Sequence, residues 1–582
     1  MVPADFAANA RRALLDARTD AGHWVGELSA SALSTATALF TLWRHQLATG
    51  TNHRGRIDAS LDWLARTQNP DGGFGDTVES LSNVSTTALC WAAFAASTSP
   101  RHASVDSRAV DWLTRHAGSL DAEPLAAAIV AIYGKDRTFS VPILTMLAVA
   151  GKLGPDGWRL VPQLPFELAV CPFWLFQWVR LPVVSYALPA LIAIGRVRHY
   201  HRPTRVLPWR WLRNAVAAKT LRKLRAIQPT TGGYLEATPL TSFVGMALID
   251  AGLAAHEVVT EGVRFLEASQ RPDGSWPIDT NLSTWATTLS VNALSPDAMT
   301  VTERATVRDW LLAQQYRVTH PYTHAAAGGW AWTPLPGGVP DADDTAGALL
   351  ALHRLGDSDD RVIQAATLGC QWLVGLQNRD GGIPTFCRGW TGLPFDRSSN
   401  DLTAHALLTW EAWRPHLALD QLASTTSAAV TYLVRTQRPD GSWAPLWFGN
   451  QHSHDPADIH NLTYGTSRVL RLRSTAWPKD VPEFAAALDR AQAWLEANQN
   501  PDGGWGGRLG TPSTIEETAL ACEAWPNERG MAWLVAATKN GTEFPPSPIG
   551  FYFANLWYFE TLYPIIYVNA AVTAASLGEP PA

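Results

Sequence analysis

Apolar positions along this chain recur at helical spacing, and they do so in two ways. Runs such as Thr87-Ala-Leu-Cys-Trp-Ala-Ala-Phe94 and Glu517-Thr-Ala-Leu-Ala-Cys-Glu-Ala-Trp525 are apolar on nearly every face, which is the pattern of a helix buried all round. Between them lie amphipathic stretches that end in an aromatic–Leu pair. Strand-like alternation is missing, and helix follows helix.

The amphipathic stretches are copies of one unit. The clear copies are Trp63-Leu-Ala-Arg-Thr-Gln-Asn-Pro-Asp-Gly-Gly-Phe74, Phe265-Leu-Glu-Ala-Ser-Gln-Arg-Pro-Asp-Gly-Ser-Trp276, Trp372-Leu-Val-Gly-Leu-Gln-Asn-Arg-Asp-Gly-Gly-Ile383, Tyr432-Leu-Val-Arg-Thr-Gln-Arg-Pro-Asp-Gly-Ser-Trp443 and Trp494-Leu-Glu-Ala-Asn-Gln-Asn-Pro-Asp-Gly-Gly-Trp505. Looser copies lie at Gln228 to Tyr234, Gln314 to Trp330 and Trp533 to Phe544. In each, the aromatic–Leu pair anchors a helix end, Gln caps it, and Asp-Gly makes a tight turn in which Gly supplies positive φ. The closing aromatic packs back on the unit. A unit that cannot bury its apolar face alone must stack on its neighbours. The pattern therefore predicts an all-α fold of helical hairpins stacked into a closed α/α barrel.

Composition and the ends of the pattern add further points. The 582 residues suffice for two or more cores. The 27 tryptophans outnumber the 12 tyrosines and 18 phenylalanines, and repeat packing accounts for over half of that excess. A net charge of −6 gives no sign of a nucleic-acid partner. The scattered Cys90, Cys171, Cys370, Cys387 and Cys522 form no C-x-x-C pair and fit a reducing compartment. The opening Met1-Val-Pro-Ala-Asp-Phe-Ala-Ala lacks a basic region followed by an apolar core, so no secretory signal is expected.

One segment breaks the repeat. Phe166 to Gly195 is strongly apolar but carries Pro172, Gln177, Arg180, Pro182 and Pro189, which makes it a poor membrane-spanning helix. A basic tract follows, with Arg196, Arg198, Arg202, Arg205, Arg210, Arg213, Lys219, Arg222, Lys223 and Arg225. Apolar surface beside positive charge suits a protein that dips into one leaflet. A buried core helix with a solvated basic face fits the same residues.

The chemistry concentrates at Pro340-Asp-Ala-Asp-Asp-Thr-Ala346. Asp341, Asp343 and Asp344 crowd the start of an apolar helix, where the macrodipole and free N–H groups favour anions. Mutual repulsion opposes full ionisation, so at least one carboxyl is expected to hold its proton at neutral pH. A proton donor at the edge of an apolar cavity is suited to protonating an alkene. An acidic cap or a divalent-metal site are the alternatives. Asp357-Ser-Asp-Asp360 repeats the spacing after a Leu-Gly helix stop and reads as a solvated loop and N-cap.

The glutamine–tryptophan repeats, Asp341-Ala-Asp-Asp-Thr-Ala346 and Gly541-Thr-Glu-Phe-Pro545 resemble the squalene–hopene cyclase family of class II terpene cyclases, over nearly the whole chain. The resemblance implies two α/α barrels, one inserted in the other, around an apolar cavity. On that basis residues 20–282 form the inserted barrel, with a membrane or entrance segment at 166–225, and residues 1–19 and 283–582 form the barrel with the acid site. Asp343 matches the aspartate that protonates the terminal alkene, flanked by Asp341 and Asp344. Asp401 and His405 match the partner motif; on a helix i and i+4 share a face, so Asp401 is expected to orient His405 while His405 bonds Asp343. Tyr464 resembles the tyrosine that hydrates or reprotonates the acid. Trp178, Trp285, Trp332, Phe386, Trp447, Phe544, Phe551 and Tyr558 match cavity positions that stabilise carbocations.

The departures from the family pattern are Ala286, Asn555, the polar insertion from Phe448 to His460, and the extra residues Pro546 to Gly550. They alter the cavity wall and spare the acid. The expected activity is proton-initiated cyclisation of squalene or a similar linear isoprenoid, without metal or cofactor, at the cytoplasmic face of a membrane and in a possible homodimer. The alternatives are a class II cyclase acting on a prenyl diphosphate or meroterpenoid, for which the basic tract could bind diphosphate, and a non-catalytic lipid-binding scaffold.

Overall fold

Helices make up nearly all of the ordered structure in the computed structural model, which describes residues 3–134, 137–178, 187–356, 359–388, 395–417, 422–453, 455, 458–552 and 556–577. One hairpin stands apart, pairing β1 (Gly550–Tyr552) with β2 (Leu556–Tyr558). The apolar runs form α1 (Ala32–Thr49), α2 (Val84–Ala93), α3 (Ser140–Val149), α4 (Leu188–His201) and α5 (Thr238–Asp250). These pack in sequence and α5 returns to α1, which closes a first ring. A second ring comprises α6 (Ser283–Ala293), α7 (Ala342–Leu355), α8 (Asn400–Trp413), α9 (Leu462–Leu470), α10 (Ile515–Ala524) and α11 (Tyr563–Leu577), each against the next and α11 back on α6.

Ring helices are buried over most of their surface; nine of the ten residues of α2 are buried. Their Ser and Thr hydroxyls return bonds to carbonyls one turn back, as Thr37 does to Leu33 and Ser242 to Thr238, so polar side chains sit inside without a desolvation penalty. The amphipathic repeat helices pack outside, for example Val301–Gln314, Asp360–Leu376 and Leu422–Thr436 around α7 and α8. The helix Ala4–Asp16 packs on α11, where Asn569 Nδ2 donates to the Ala10 carbonyl at 2.9 Å. The first α/α barrel is thus inserted in the second.

The repeat glutamine acts as a clamp. Gln315 Nε2 donates to the Gly328 carbonyl of its own turn and to Ala365 in the next outer helix, both at 2.9 Å. Gln68, Gln228, Gln270, Gln377 and Gln437 repeat this double donation, and Gln499 reaches Gly503 and the Asn527 side chain. The closing tryptophans 276, 443 and 505 donate Nε1 to the repeat leucine carbonyl at 2.9 Å. In the turn, Gly381 has φ +91° and a Cβ there would lie 2.3 Å from the Ala428 carbonyl, so no other residue fits. Replacing buried Gln315 by Glu removes both donors and sets a carboxylate against two carbonyls. Thermal unfolding is expected to show a loss of about 2 kcal/mol or more, at ~1–3 kcal/mol for each buried acceptor left unmet. An unchanged midpoint would remove the clamp from the stability argument.

The segment from Phe166 to Gly195 divides between its two readings. Leu188 to Gly195 lies in α4, where Ile192, Ala193 and Ile194 are fully buried against the ring; the expectation of an outward apolar surface fails there because α4 packs along α5. Upstream, the turn Phe166–Val170 and the helix Phe173–Trp178 leave Leu168, Trp174 and Trp178 exposed. Arg180 and Pro182 lie outside the described residues. Among the described residues no helix is long and apolar enough to cross a membrane.

Candidate acid site

Three neighbouring ring helices present their N-termini to one place. Asp341 caps α7, its Oδ1 accepting the Asp344 N–H at 2.8 Å, and its own N–H donates to the Trp330 carbonyl at 3.0 Å. Thr345 Oγ1 accepts the Trp330 N–H at 2.9 Å, which fixes the Gly328-Gly329-Trp330 turn against the helix start. Asp343 therefore stands in the first turn of α7 and points toward α8. His405 Nδ1 lies 2.6 Å from Asp343 Oδ1, with both side chains about one-fifth exposed or less, at 16% and 21%. Tyr464 enters from the first turn of α9, which Asn461 caps at 3.0 Å.

Burial sets the charge of the cluster. It pushes the Asp341 carboxyl up to about 7 and Asp344 well above the usual carboxylate range; with the two linked through the α7 cap, they hold protons in preference to carrying two charges. Asp401 is pushed up to about 6, again by burial first. The expected Asp401–His405 hydrogen bond does not form. Asp401 accepts from the Ser399 hydroxyl, because a carboxylate in the first helical turn is drawn to the donors at the helix start; its link to the acid is through its field on Asp343.

A cavity follows the axis of the second ring from Asp343, Asp401, His405, Trp285 and Tyr464 down to Asn292, Arg468, Arg471 and Glu523. About 40 Å³ is open to water centres, room for two to four waters at ~10–15 Å³ each. Arg468 lies over the rings of Tyr464 and Tyr567, at 5.1 and 5.4 Å, and Glu523 meets Arg468 at 3.6 Å and Arg471 at 3.3 Å. The acid therefore has a polar, cationic bore beneath it. Sequence reasoning passed over this group, although Tyr464 and Arg468 are i and i+4 on one helix, as are Tyr563 and Tyr567.

Aromatic residues gather at the same end of the ring. Trp285 donates Nε1 to the Tyr563 hydroxyl at 2.9 Å. Trp332 meets Phe386 edge to face at 6.3 Å. Trp447 donates Nε1 to Thr385 at 2.7 Å, and its carbonyl accepts the Phe551 N–H at 2.9 Å. Phe551 packs on Trp557 and Tyr558 on Tyr563. Phe448, the first residue of the polar insertion, stacks on Tyr464 at 3.6 Å, and Gly449 pairs with His460, so the two ends of the insertion meet beside the site. Phe544 is half-buried in the stretch that leads to β1. Trp178 is elsewhere: it is 77% exposed on the surface helix Phe173–Trp178, because that helix packs too little of its length to cover it. Asn555 lies outside the described residues. Asp359 caps the helix Asp360–Leu376, accepting from Val362 at 3.0 Å and pairing with Arg361; Asp357 lies outside the described residues.

Five buried carboxyls give stability a pH dependence of definite sign. Asp401 at about 6, Asp341, Glu517 and Glu560 at about 7, and Glu516 at about 8 are all raised by burial. A group raised in the folded state binds more protons there than in the unfolded chain, so stability is lost as pH rises through the folded value. The unfolding midpoint is expected to fall between pH 5 and pH 8.5. A midpoint that rises over this window would contradict the burial account.

The comparisons with known proteins agree with this arrangement. The squalene–hopene cyclase N-terminal domain matches residues 7–148 and its C-terminal domain residues 281–544. Enfumafungin synthase of Hormonema carpetanum is 25% identical over 92% of this chain and 45% of its own length, so the chain spans about half of that relative. The squalene–hopene cyclase of Bradyrhizobium diazoefficiens is 25% identical over 88% of this chain and 84% of its own. The solved structure of ent-copalyl diphosphate synthase from Streptomyces platensis shares the fold, with TM-score 0.54 and 20% identity over 98% of this chain and 99% of that one. Both family domains occur in order along one polypeptide, and this protein belongs to the squalene–hopene cyclase family.

Proposed function

We propose that the protein is a class II terpene cyclase that protonates a terminal alkene of squalene or a similar linear isoprenoid. The observation that carries this reading is the 2.6 Å contact between Asp343 and His405 at the junction of aromatic wall and polar bore. Asp343 gives its proton to an alkene carbon, whose π pair forms the new C–H bond and leaves a carbocation. The next double bond attacks that cation and closes a ring. His405 donates Nδ1–H to the carboxylate left behind. Burial favours the protonated forms of Asp341 and Asp344, which lessens the repulsion on the carboxylate that Asp343 leaves behind. The aromatic faces hold each cation without offering a nucleophile, at about 2 kcal/mol or more per desolvated contact. Water in the bore beside Tyr464 returns a proton to Asp343. We assign residues 20–282 to the inserted barrel and 1–19 with 283–582 to the acid barrel, a division that the packing of Ala4–Asp16 on α11 supports.

The test is incubation of purified protein with squalene and, separately, with geranylgeranyl diphosphate, in chelator, followed by mass analysis of the lipid extract. Squalene is expected to give an isomer of unchanged mass or its hydrate. Turnover of the diphosphate alone would move the substrate class; product from neither would overturn the reading.

Substrate delivery from a membrane belongs to the same proposal. Leu168, Trp174, Trp178, Leu207, Trp209 and Trp211 are exposed between 45% and 77%, beside the basic helix Leu207–Ala226. Such a surface suits insertion into one leaflet. Trp178→Glu combined with Trp211→Glu is expected to release the protein from liposomes and slow turnover of membrane-dissolved squalene, with less effect on detergent-presented substrate. Variants that stay bound would refute this entry.

A further inference from the structure

A second concavity, of about 250 Å³, lies between α4 and the helix Leu207–Ala226, lined by Phe166, Arg196, His199, Tyr200, Arg210 and Asn214 among others. Its polar groups come from two facing helix stripes. Arg196, His199 and Tyr200 share one face of α4, and Arg210 and Asn214 one face of the basic helix. Neighbouring arginines are paired, Arg213 with Glu167 and Arg202 with Asp156, both at 2.9 Å. Arg196 and Arg210 have no carboxylate partner among the described residues; Arg196 Nη1 donates to the Ala217 carbonyl, while its Nε is buried and unbonded. His199 is 9% exposed. Its Nε2 donates to Asn214 Oδ1 at 2.9 Å, and its Nδ1 is buried with no partner. Two guanidiniums without a carboxylate partner among the described residues thus line the hollow, with the Asn214 amide and the ordered His199 ring between them.

The location narrows the ligand. Tyr200, Leu207, Trp209 and Trp211 are exposed on the two helices that form the hollow, so it lies among the apolar side chains assigned to the leaflet. We propose that this pocket binds the phosphate of an anionic phospholipid headgroup, a site that rests on the membrane reading above. Arg196 and Arg210 supply the charge-assisted donors, which suit phosphate oxygens, while the tryptophans enter the acyl boundary beside it.

The experiment is sedimentation with vesicles of phosphatidylcholine alone and of phosphatidylcholine with phosphatidylglycerol, using wild type, Arg210→Gln, the pair Arg196→Gln/Arg210→Gln, and the equally charged control Lys219→Gln/Arg222→Gln. Unfolding midpoints check that each variant is folded, and Arg210→Gln, at an exposed position, keeps the test intact if the Arg196 change unfolds. Diffuse attraction is worth about fivefold per cation near a charged surface, so the control is expected to lose at most about thirtyfold of partitioning on the anionic vesicles. Arg210→Gln and the pair also give up charge-assisted bonds to the phosphate, and the pair is expected to lose about tenfold more than the control. Equal losses in the pair and the control mean diffuse attraction and overturn the site. Calorimetric binding of inorganic diphosphate that the pair abolishes, with vesicle partitioning unchanged, means a soluble phosphate ligand and also overturns it. Wild-type protein that ignores both vesicles refutes the membrane reading and the site with it.

Discussion

Asp343→Asn is expected to abolish cyclisation while the protein stays folded. The amide keeps the size of the side chain and can still meet His405 Nδ1, now 2.6 Å from Oδ1, yet it has no proton acidic enough for an alkene. Proton transfer by a positioned side chain is worth ~10²–10⁴-fold, and the nearby carboxyls do not replace it here: Asp341 and Asp344 are not among the residues that line the cavity, and Asp401 is bound to the Ser399 hydroxyl. Product should fall by about 10⁴-fold or below detection, with an unfolding midpoint near that of wild type. Asp359→Asn is the matched control, since Asp359 caps a surface helix and should leave turnover unchanged. Residual product from the Asp343 variant, or loss of activity in the Asp359 variant, would mean that the acid lies elsewhere.

His405→Ala is the second large effect. Removing the imidazole takes away the donor that supports the carboxylate after proton transfer, so Asp343 becomes a weaker acid. The aromatic wall that holds the substrate is untouched. Turnover is expected to fall ~10²–10⁴-fold with KM close to wild type. A variant whose KM rises while kcat is preserved would make His405 a substrate-binding residue and leave the acid without its partner.

The barrels were legible because each repeat carries its own cause: Gly at a position of positive φ pressed against a neighbouring carbonyl, as at Gly381, and an amide with two donors, as at Gln315. The crowding of Asp341, Asp343 and Asp344 was legible for the same reason, since carboxylates repel at any spacing this short. What escaped the sequence depends on packing between distant helices. Helical spacing brought Asp401 and His405 to one face, but the donors at the start of α8 captured the carboxylate. The Arg468–Glu523 contact joins α9 to α10, and no local pattern announces it. Trp178 and Ile192 lie in one apolar stretch, yet only Ile192 has a neighbouring helix to cover it.

The seating of Ala4–Asp16 on α11 has a consequence for how the chain is made. Gln270 clamps back to Arg56 and the Trp276 carbonyl accepts the Ser31 N–H, so the first ring can close while the rest is still on the ribosome. The helix Ala4–Asp16, which leaves the ribosome long before, must keep Phe6, Ala10 and Leu14 waiting until Tyr563–Leu577 arrives. At ~5–20 residues per second that interval is roughly half a minute to two minutes. During that time an amphipathic helix hangs free beside a finished barrel, and it is sheltered only when Tyr563–Leu577 emerges.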